Sequence, residues 1–138
     1  MLPFVATRVA LEAAPAGAGS GGWTVVEIVC HMRDAELVLA HRLDRILHEQ
    51  KPRFEAFDPD AVAGRGNYAS TPLGEALAGF ADARAHTVRV LEPITGADWS
   101  RAGIRANGDA VTVQELAAYW VAHDAQHLEQ LVQLVASP

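Results

Sequence analysis

Residues 112–134, TVQELAAYWVAHDAQHLEQLVQL, decide the fold, because they have the signature of a long amphipathic helix. Thr112 and Glu115 have the spacing of a capping box, which satisfies free backbone N–H groups where a helix begins. Leu116 lies within about 20° of His123 on the helical wheel, so this histidine belongs to the apolar face. The stretch therefore predicts a helix that packs against other helices through its histidine-bearing side.

Two other segments have the marks of long helices. A second capping box, Thr24 with Glu27, precedes an apolar-periodic run that predicts a helix over residues 25–49. Within residues 71–93, a threonine N-cap and a proline at the first helical position open a third long helix, which a second proline ends. Its apolar stripe is the cleanest periodicity in the chain and consists of Leu73, Leu77, Phe80, Val88 and Leu91.

The remaining segments predict shorter elements and no β-strand. Residues 4–14 indicate a short first helix, which Pro15 and a glycine-rich stretch end. Residues 51–71 have no period and predict one long crossover loop between helices 2 and 3. We therefore predict a single domain over residues 1–138 with an all-α fold, a four-helix bundle with a long crossover loop and a short first helix.

Composition and charge exclude several classes of partner. The net charge is −6, with 11 basic and 17 acidic residues, which argues against a nucleic-acid-binding protein. No apolar run has the length of a membrane span, and the N-terminus lacks the profile of a signal peptide. The only cysteine, Cys30, cannot form an internal disulfide and is expected to pack inertly within a helix. These features predict a cytoplasmic protein with no nucleic-acid or membrane partner.

The two histidines of the last helix are the strongest functional signal. His123 and His127 are four residues apart, so their side chains leave the helix roughly 40° apart and both can reach one divalent metal ion. The alternative is a pair of histidines that are hydrogen-bonded inside a bundle. Their position on the apolar face favours the metal, because two buried neutral imidazoles need partners.

A metal site of the catalytic type needs a third protein ligand, and four other histidines are available. His41 and His48 point some 80 to 100° away from His31 and are predicted to lie on the surface, and His86 lies on a polar flank of its helix. His31 lies at the edge of the apolar face. The residues alone do not decide whether His31 is the third ligand or a partly buried histidine that is hydrogen-bonded to a backbone carbonyl.

Charged side chains near these histidines have several possible roles. A metal-bound imidazole usually donates its second N–H to a carboxylate, and the chain offers four candidates between which the pattern does not choose: Glu27, Asp34, Glu36 and Asp124. Arg84 lies on the apolar stripe of the third long helix and must be paired there. A structural ion pair with Glu27 or Glu36 is favoured over an anionic substrate.

Four strings of the chain form a pattern together: Trp23-Thr24-x-x-Glu27-x-x-x-His31-x-x-Asp34-x-Glu36, Phe80-x-x-x-Arg84, Asp98-Trp99 and His123-Asp124-x-x-His127-Leu128-x-Gln130. From about Trp23 to Leu134 the chain resembles the DinB-like superfamily of metal-binding four-helix bundles, of the YfiT type. The resemblance implies a long crossover between helices 2 and 3. It also implies a three-histidine site for nickel or zinc, formed by His31, His123 and His127.

The resemblance also bears on assembly. The first helix of the family is normally a full member of the bundle, whereas only about ten residues are available for this helix before the glycine-rich stretch here. One wall of the bundle is therefore expected to be short or to be completed by a second subunit, and we expect a homodimer.

Three neutral imidazoles leave a divalent ion with its full charge, which lowers the pKa of a bound water or thiol. Similar proteins include hydrolases and low-molecular-weight-thiol transferases. We therefore predict a metal-dependent enzyme, a hydrolase or thiol S-transferase acting on a small molecule, with no catalytic residue assigned. The alternative is a non-catalytic, metal-stabilised bundle that works as a dimeric binding or stress-response module, because no unambiguous base or nucleophile accompanies the triad. A fourth ligand from the protein, such as Asp124, would favour that alternative.

Overall fold

The structure is a computed structural model, and it describes residues 22–136. Four α-helices are described, and they are α1 Val25–His48, α2 Pro59–Gly66, α3 Leu73–Leu91 and α4 Val113–Ala136. Two short 3₁₀ helices, Tyr68–Ser70 and Gly96–Ser100, and two strands, β1 Ala102–Ile104 and β2 Ala110–Thr112, complete these residues. The predicted first helix, residues 4–14, lies outside the described part of the chain. None of the described helices is long and apolar enough to span a membrane.

The long helix α1 is the centre of the packing and contacts both α3 and α4. Its predicted capping box is confirmed, since the Thr24 hydroxyl accepts from the Glu27 N–H and Glu27 Oε1 accepts from the Thr24 N–H at 3.0 Å. The capping residues predicted for α4 are confirmed as well, because Thr112 Oγ1 accepts from the Glu115 N–H at 3.0 Å. Both long helices therefore begin where local sequence signals place them.

The crossover between α1 and α3 contains more structure than predicted. The expectation of a continuous loop over residues 51–71 is wrong for residues 59–66, which form α2. Asp58 caps this helix by accepting two backbone N–H groups of the first turn, Pro59 follows it, and Asn67 ends the helix in the left-handed region with φ 52°. None of the residues of α2 is fully buried, so the helix has no apolar period that a sequence pattern would show.

Helix α3 begins one residue later than predicted and buries a different face. Thr71 donates its hydroxyl to the Asn67 carbonyl at 3.1 Å, and Pro72 is the N-cap instead. The residues of α3 that are fully buried are small: Ala76, Ala83 and Thr87. The predicted stripe is largely exposed, because Leu73, Leu77 and Val88 are 43%, 52% and 45% exposed. Small side chains allow close approach to α1, where an added Cβ at Gly79 would lie 2.8 Å from Arg33 Cδ.

A small antiparallel hairpin stands before α4 and corrects the expectation that the chain has no strand. Strands β1 and β2 pair Gly103 with Val111 and turn through Gly108, whose φ of +92° suits glycine. The Ile104 carbonyl accepts from the Phe54 N–H at 2.9 Å, which ties the crossover to the hairpin. Strands of three residues are too short to show alternation, so the sequence pattern did not reveal them.

The core lies on both sides of α1. One cluster fills the space between α1, the hairpin and α4: Ala35, Leu39, Leu43, Ile46, Phe54, Val111, Val113, Leu116 and Trp120. Two smaller clusters lie at the N-terminal half of α1 and include Cys30, which is buried and free as predicted. Each large aliphatic side chain buried in this way contributes about 1.5–3 kcal/mol to stability.

Candidate metal centre

Three buried histidines from two helices meet in the core. His31 comes from α1, and His123 and His127 come from α4, and one ring nitrogen of each lies within 4.8 Å of the others. The Nε2 atoms of His31 and His123 are 3.2 Å apart. The three residues are 1%, 3% and 0% exposed, respectively. Within residues 22–136 this is the only such group of metal-ligating side chains, and it unites the three histidines that the sequence singled out.

Burial keeps the imidazole of His31 uncharged, which suits it to binding a cation. Desolvation, together with the imidazoles of His127 and His123, lowers the pKa of His31 to about 3, so its ring is neutral at pH 7. The Nδ1 atoms of His31 and His123 have no hydrogen-bond partner among the described residues. Two nitrogens bound to one tetrahedral zinc ion at 2.0–2.1 Å would be about 3.3 Å apart, close to the separation of the two Nε2 atoms. The donor set therefore fits a divalent ion such as zinc or nickel.

The imidazole of His127 is oriented by the amide of Gln130, a residue to which the sequence pattern assigned no role. Its Nδ1–H donates to Gln130 Oε1 at 2.6 Å, which places the lone pair of the ring on Nε2. Only carboxylates were expected in this role. The signal that would have revealed Gln130 is its spacing, since it lies three residues after His127 on the same helix.

The four carboxylates proposed as partners of the histidines are mostly engaged elsewhere. Glu27 is part of the helix cap, and Asp34 binds Arg33 at 2.9 Å and accepts the Tyr68 hydroxyl. Of the four carboxylates, that of Asp124 lies beside His123. The distance from Asp124 Oδ1 to His123 Nδ1 is 3.9 Å, which is too long for a hydrogen bond. Asp124 also binds Arg84.

Arg84 joins three helices next to the histidines. Its guanidinium on α3 donates twice to the Glu36 carboxylate on α1, at 3.0 Å for each bond, and once to Asp124 on α4. The predicted ion pair with Glu36 is confirmed, and the hydrogen bond to Glu36 raises the pKa of Arg84 above its ordinary value. Because Asp124 directly follows His123, this network fixes the register of α4 against α1 at the metal centre.

Aromatic rings surround the triad and exclude water from it. Trp23 lies 5.3 Å from His31 and Phe57 stacks on His31 at 6.3 Å, both measured between ring centroids. Trp120 stacks on His123 at 5.3 Å and Tyr119 stacks on it at 6.4 Å. A dry environment of this kind strengthens electrostatic interactions with a bound cation and its ligands.

The other histidines do not belong to the site. His41, His48 and His86 are exposed, as predicted from their positions on the helices. Trp99, from the Asp98-Trp99 string, is 37% exposed and makes no ring contact with the triad among the described residues.

Comparison with known proteins places the chain in a family. The sequence model of the DinB superfamily matches residues 10–131. The chain belongs to the DinB superfamily. This DinB-superfamily chain is 29% identical over 116 residues to a protein of Geobacillus thermodenitrificans (strain NG80-2) named "Putative metal-dependent hydrolase". That match covers 83% of the chain but 65% of the relative, so the chain spans somewhat less than two thirds of that relative's length.

A solved structure confirms the fold of this DinB-superfamily chain. YfiT from Bacillus subtilis, described as "a probable metal-dependent hydrolase with an unusual four-helix bundle topology", superimposes with a TM-score of 0.79 at 18% sequence identity. The match covers 94% of this chain and 79% of YfiT. The predicted all-α, four-helix-bundle fold is therefore correct, with the small hairpin as an addition.

Replacing Gln130 by leucine is expected to weaken metal binding about 10- to 100-fold, because the His127 ring loses the acceptor that fixes its tautomer. Competition with a chromogenic chelator would measure the affinity. Gln114 is exposed at the start of α4, and Gln114→Leu serves as the matched control. Equal metal affinity of the two variants would contradict a positioning role for Gln130.

Proposed function

We propose that this chain is a metal-dependent enzyme that acts on a small molecule, with His31, His123 and His127 as the ligands of a zinc or nickel ion. The observation that carries the proposal is the convergence of three buried imidazoles within 4.8 Å. The name of the Geobacillus relative, "Putative metal-dependent hydrolase", and the description of YfiT as "a probable metal-dependent hydrolase" support it.

The protein positions the three histidines and excludes water from around them. An ion bound by three neutral ligands supplies Lewis-acid chemistry, which lowers the pKa of a water or thiol and polarises the oxygen atoms of a substrate. Gln130 holds the His127 ring in one tautomer, and the Arg84 network holds α4 against α1. The aromatic rings of Trp23, Phe57 and Trp120 keep the surroundings dry.

The coordination of the site favours an enzyme over a purely structural metal. Structural zinc sites are closed by four protein ligands, whereas catalytic sites have three and leave one position for substrate. Asp124, the candidate for a fourth ligand, is held by Arg84 instead. Among the described residues no other carboxylate, cysteine or histidine joins the triad.

Parallel assays of the metal-loaded protein distinguish hydrolysis from thiol transfer. One assay offers nitrophenyl esters and anilides, and the other offers a low-molecular-weight thiol with the electrophile monochlorobimane. Turnover that is lost in His127→Ala and retained in His86→Ala supports the enzyme and identifies its class. Absence of turnover in both assays, with metal bound, supports the alternative of a non-catalytic, metal-stabilised binding or stress-response module.

We also propose that the protein is a homodimer, with the outer face of α4 as its interface. The apolar residues there repeat at intervals of seven, four and three and are 72%, 55%, 65% and 75% exposed: Val121, Leu128, Val132 and Val135. This spacing suits pairing with a second copy of the same helix. Light scattering should give a mass near twice 14.7 kDa, and Val132→Glu should give the monomer mass. A dimer unaffected by Val132→Glu, or a monomeric wild type, would contradict this interface, and Val88→Glu on α3 is the control.

A further inference from the structure

A groove lies beside the triad, between the second half of α1 and the crossover segment that follows it. Its volume is about 610 Å³, within the range of small-molecule sites. Six of its lining residues matter here: His41, Arg42, Arg45, Arg53, Phe54 and Phe57. The proposed function uses one of these residues, Phe57, and only as part of the wall of the triad.

The charge of this groove differs from that of the protein as a whole. The chain has a net charge of −6, yet three arginines line the groove and Glu55 is the acidic residue among the lining residues. Arg45 is paired with Glu49 at 2.9 Å. Arg53 is exposed and makes no side-chain hydrogen bond or ion pair with any residue between 22 and 136. A local excess of positive charge on an acidic protein favours an anionic ligand.

One of these arginines is held in place. Arg42 donates to the Glu55 carbonyl at 2.9 Å, and its guanidinium lies over the Phe54 ring at 5.4 Å. The hydrogen bond and the ring contact restrict this side chain to the wall of the groove. A guanidinium that is already oriented loses less entropy when it binds a carboxylate.

The groove and the triad share one neighbour, Phe57. Phe57 lines the groove and stacks on His31 at 6.3 Å. His31 and Arg42 are eleven residues apart on α1, which places them within about 20° of each other on the helix and separates them by about 16 Å of axial rise. The side chain of Arg42 leans toward the N-terminus of the helix and shortens this distance. A molecule that touches both must be elongated.

We propose that the groove binds an elongated small molecule with a carboxylate at one end, held by Arg42 and Arg53, and with its other end at Phe57 beside the triad. This inference rests on the proposed function in one respect, namely that the ligand of the groove is also the substrate of the metal centre. Binding of the carboxylate itself requires no metal.

Two fluorescent probes that differ only in charge test the proposal. 1-Pyrenebutyrate carries a carboxylate and 1-pyrenebutanol carries a neutral hydroxyl on the same ring and chain. We expect the metal-free protein to bind the carboxylate about tenfold more tightly at low salt, measured by fluorescence anisotropy, and to lose much of that preference at high salt. Arg53→Gln and Arg42→Gln should each reduce the preference several-fold, and Arg42→Lys, which keeps the charge, should retain most of it.

Arg89→Gln is the matched control, since Arg89 is exposed on α3 and does not line the groove. Equal affinity for the two probes would overturn the proposal, as would Arg53→Gln and Arg42→Gln variants that behave like Arg89→Gln. If the pyrene ring bound to the exposed apolar face of α4 instead, the affinities for the two probes would be equal. Because the probes are tested without metal, failure of the metal centre would leave the selectivity for the carboxylate unchanged, and the two proposals fail separately.

Discussion

Replacing His127 by alanine is expected to abolish stoichiometric binding of the divalent metal ion. The variant loses one of three ligands from a buried site, and two imidazoles alone hold zinc or nickel weakly. A metal present at about a thousand times its Kd stabilises the fold by about 4 kcal/mol. Chelation should therefore lower the Tm of the wild type by on the order of 10 °C and leave the Tm of His127→Ala unchanged. Metal analysis of the purified protein and thermal unfolding with and without EDTA measure both effects.

His86→Ala is the control for this substitution, since His86 is an exposed histidine on α3. It should retain the metal and the response to EDTA. A wild-type protein that is purified without metal, binds no added zinc or nickel, and melts at the same temperature with and without EDTA would contradict the metal centre. The three histidines would then be hydrogen-bonded core residues.

Replacing Arg84 by leucine is expected to destabilise the fold by about 3 kcal/mol. The substitution leaves the Glu36 carboxylate, which is 1% exposed, without its two hydrogen bonds from the guanidinium. An unpaired buried charge costs about 3–5 kcal/mol, and the partial exposure of Arg84 places the expected value at the lower end. Urea unfolding of the metal-free protein at pH 7 measures the free energy of unfolding.

Two further variants separate the ion pair from general packing effects. Arg89→Leu removes an exposed arginine from the same helix and should change stability by less than about 0.5 kcal/mol. The double variant Glu36→Leu with Arg84→Leu removes both charges and should recover part of the loss. If Arg84→Leu is no more destabilising than Arg89→Leu, the network does not stabilise α4 against α1.

Features that depend on neighbouring residues could be predicted well. The capping residues of α1 and α4 interact within one turn, at Thr24 with Glu27 and at Thr112 with Glu115. The pairing of His123 and His127 on one face follows from the helical repeat alone. The small helix α2 was missed although Asp58 and Pro59 signal its start, because it lacks a buried face.

Features that depend on which surfaces meet could not be predicted in the same way. The periodicity of α3 identified a helix, but large aliphatic residues such as Leu77 turned out to be exposed while alanines face α1. A stripe of small residues gives a closer helix contact, and its benefit appears only when the opposite helix is present. For the same reason the sequence did not choose among four carboxylates, or predict Gln130 as the partner of His127.

The sequence by itself determined the positions of the three long helices, the histidine pair on α4 and, through a family pattern, the identity of the third histidine. Only the tertiary structure brought His31 to within 3.2 Å of His123, a residue 92 positions away, and joined Arg84 to carboxylates on two other helices. Contacts within one turn of a helix follow from its fixed geometry. Contacts between helices depend on packing, because the angle and register at which two surfaces fit are properties of both surfaces together.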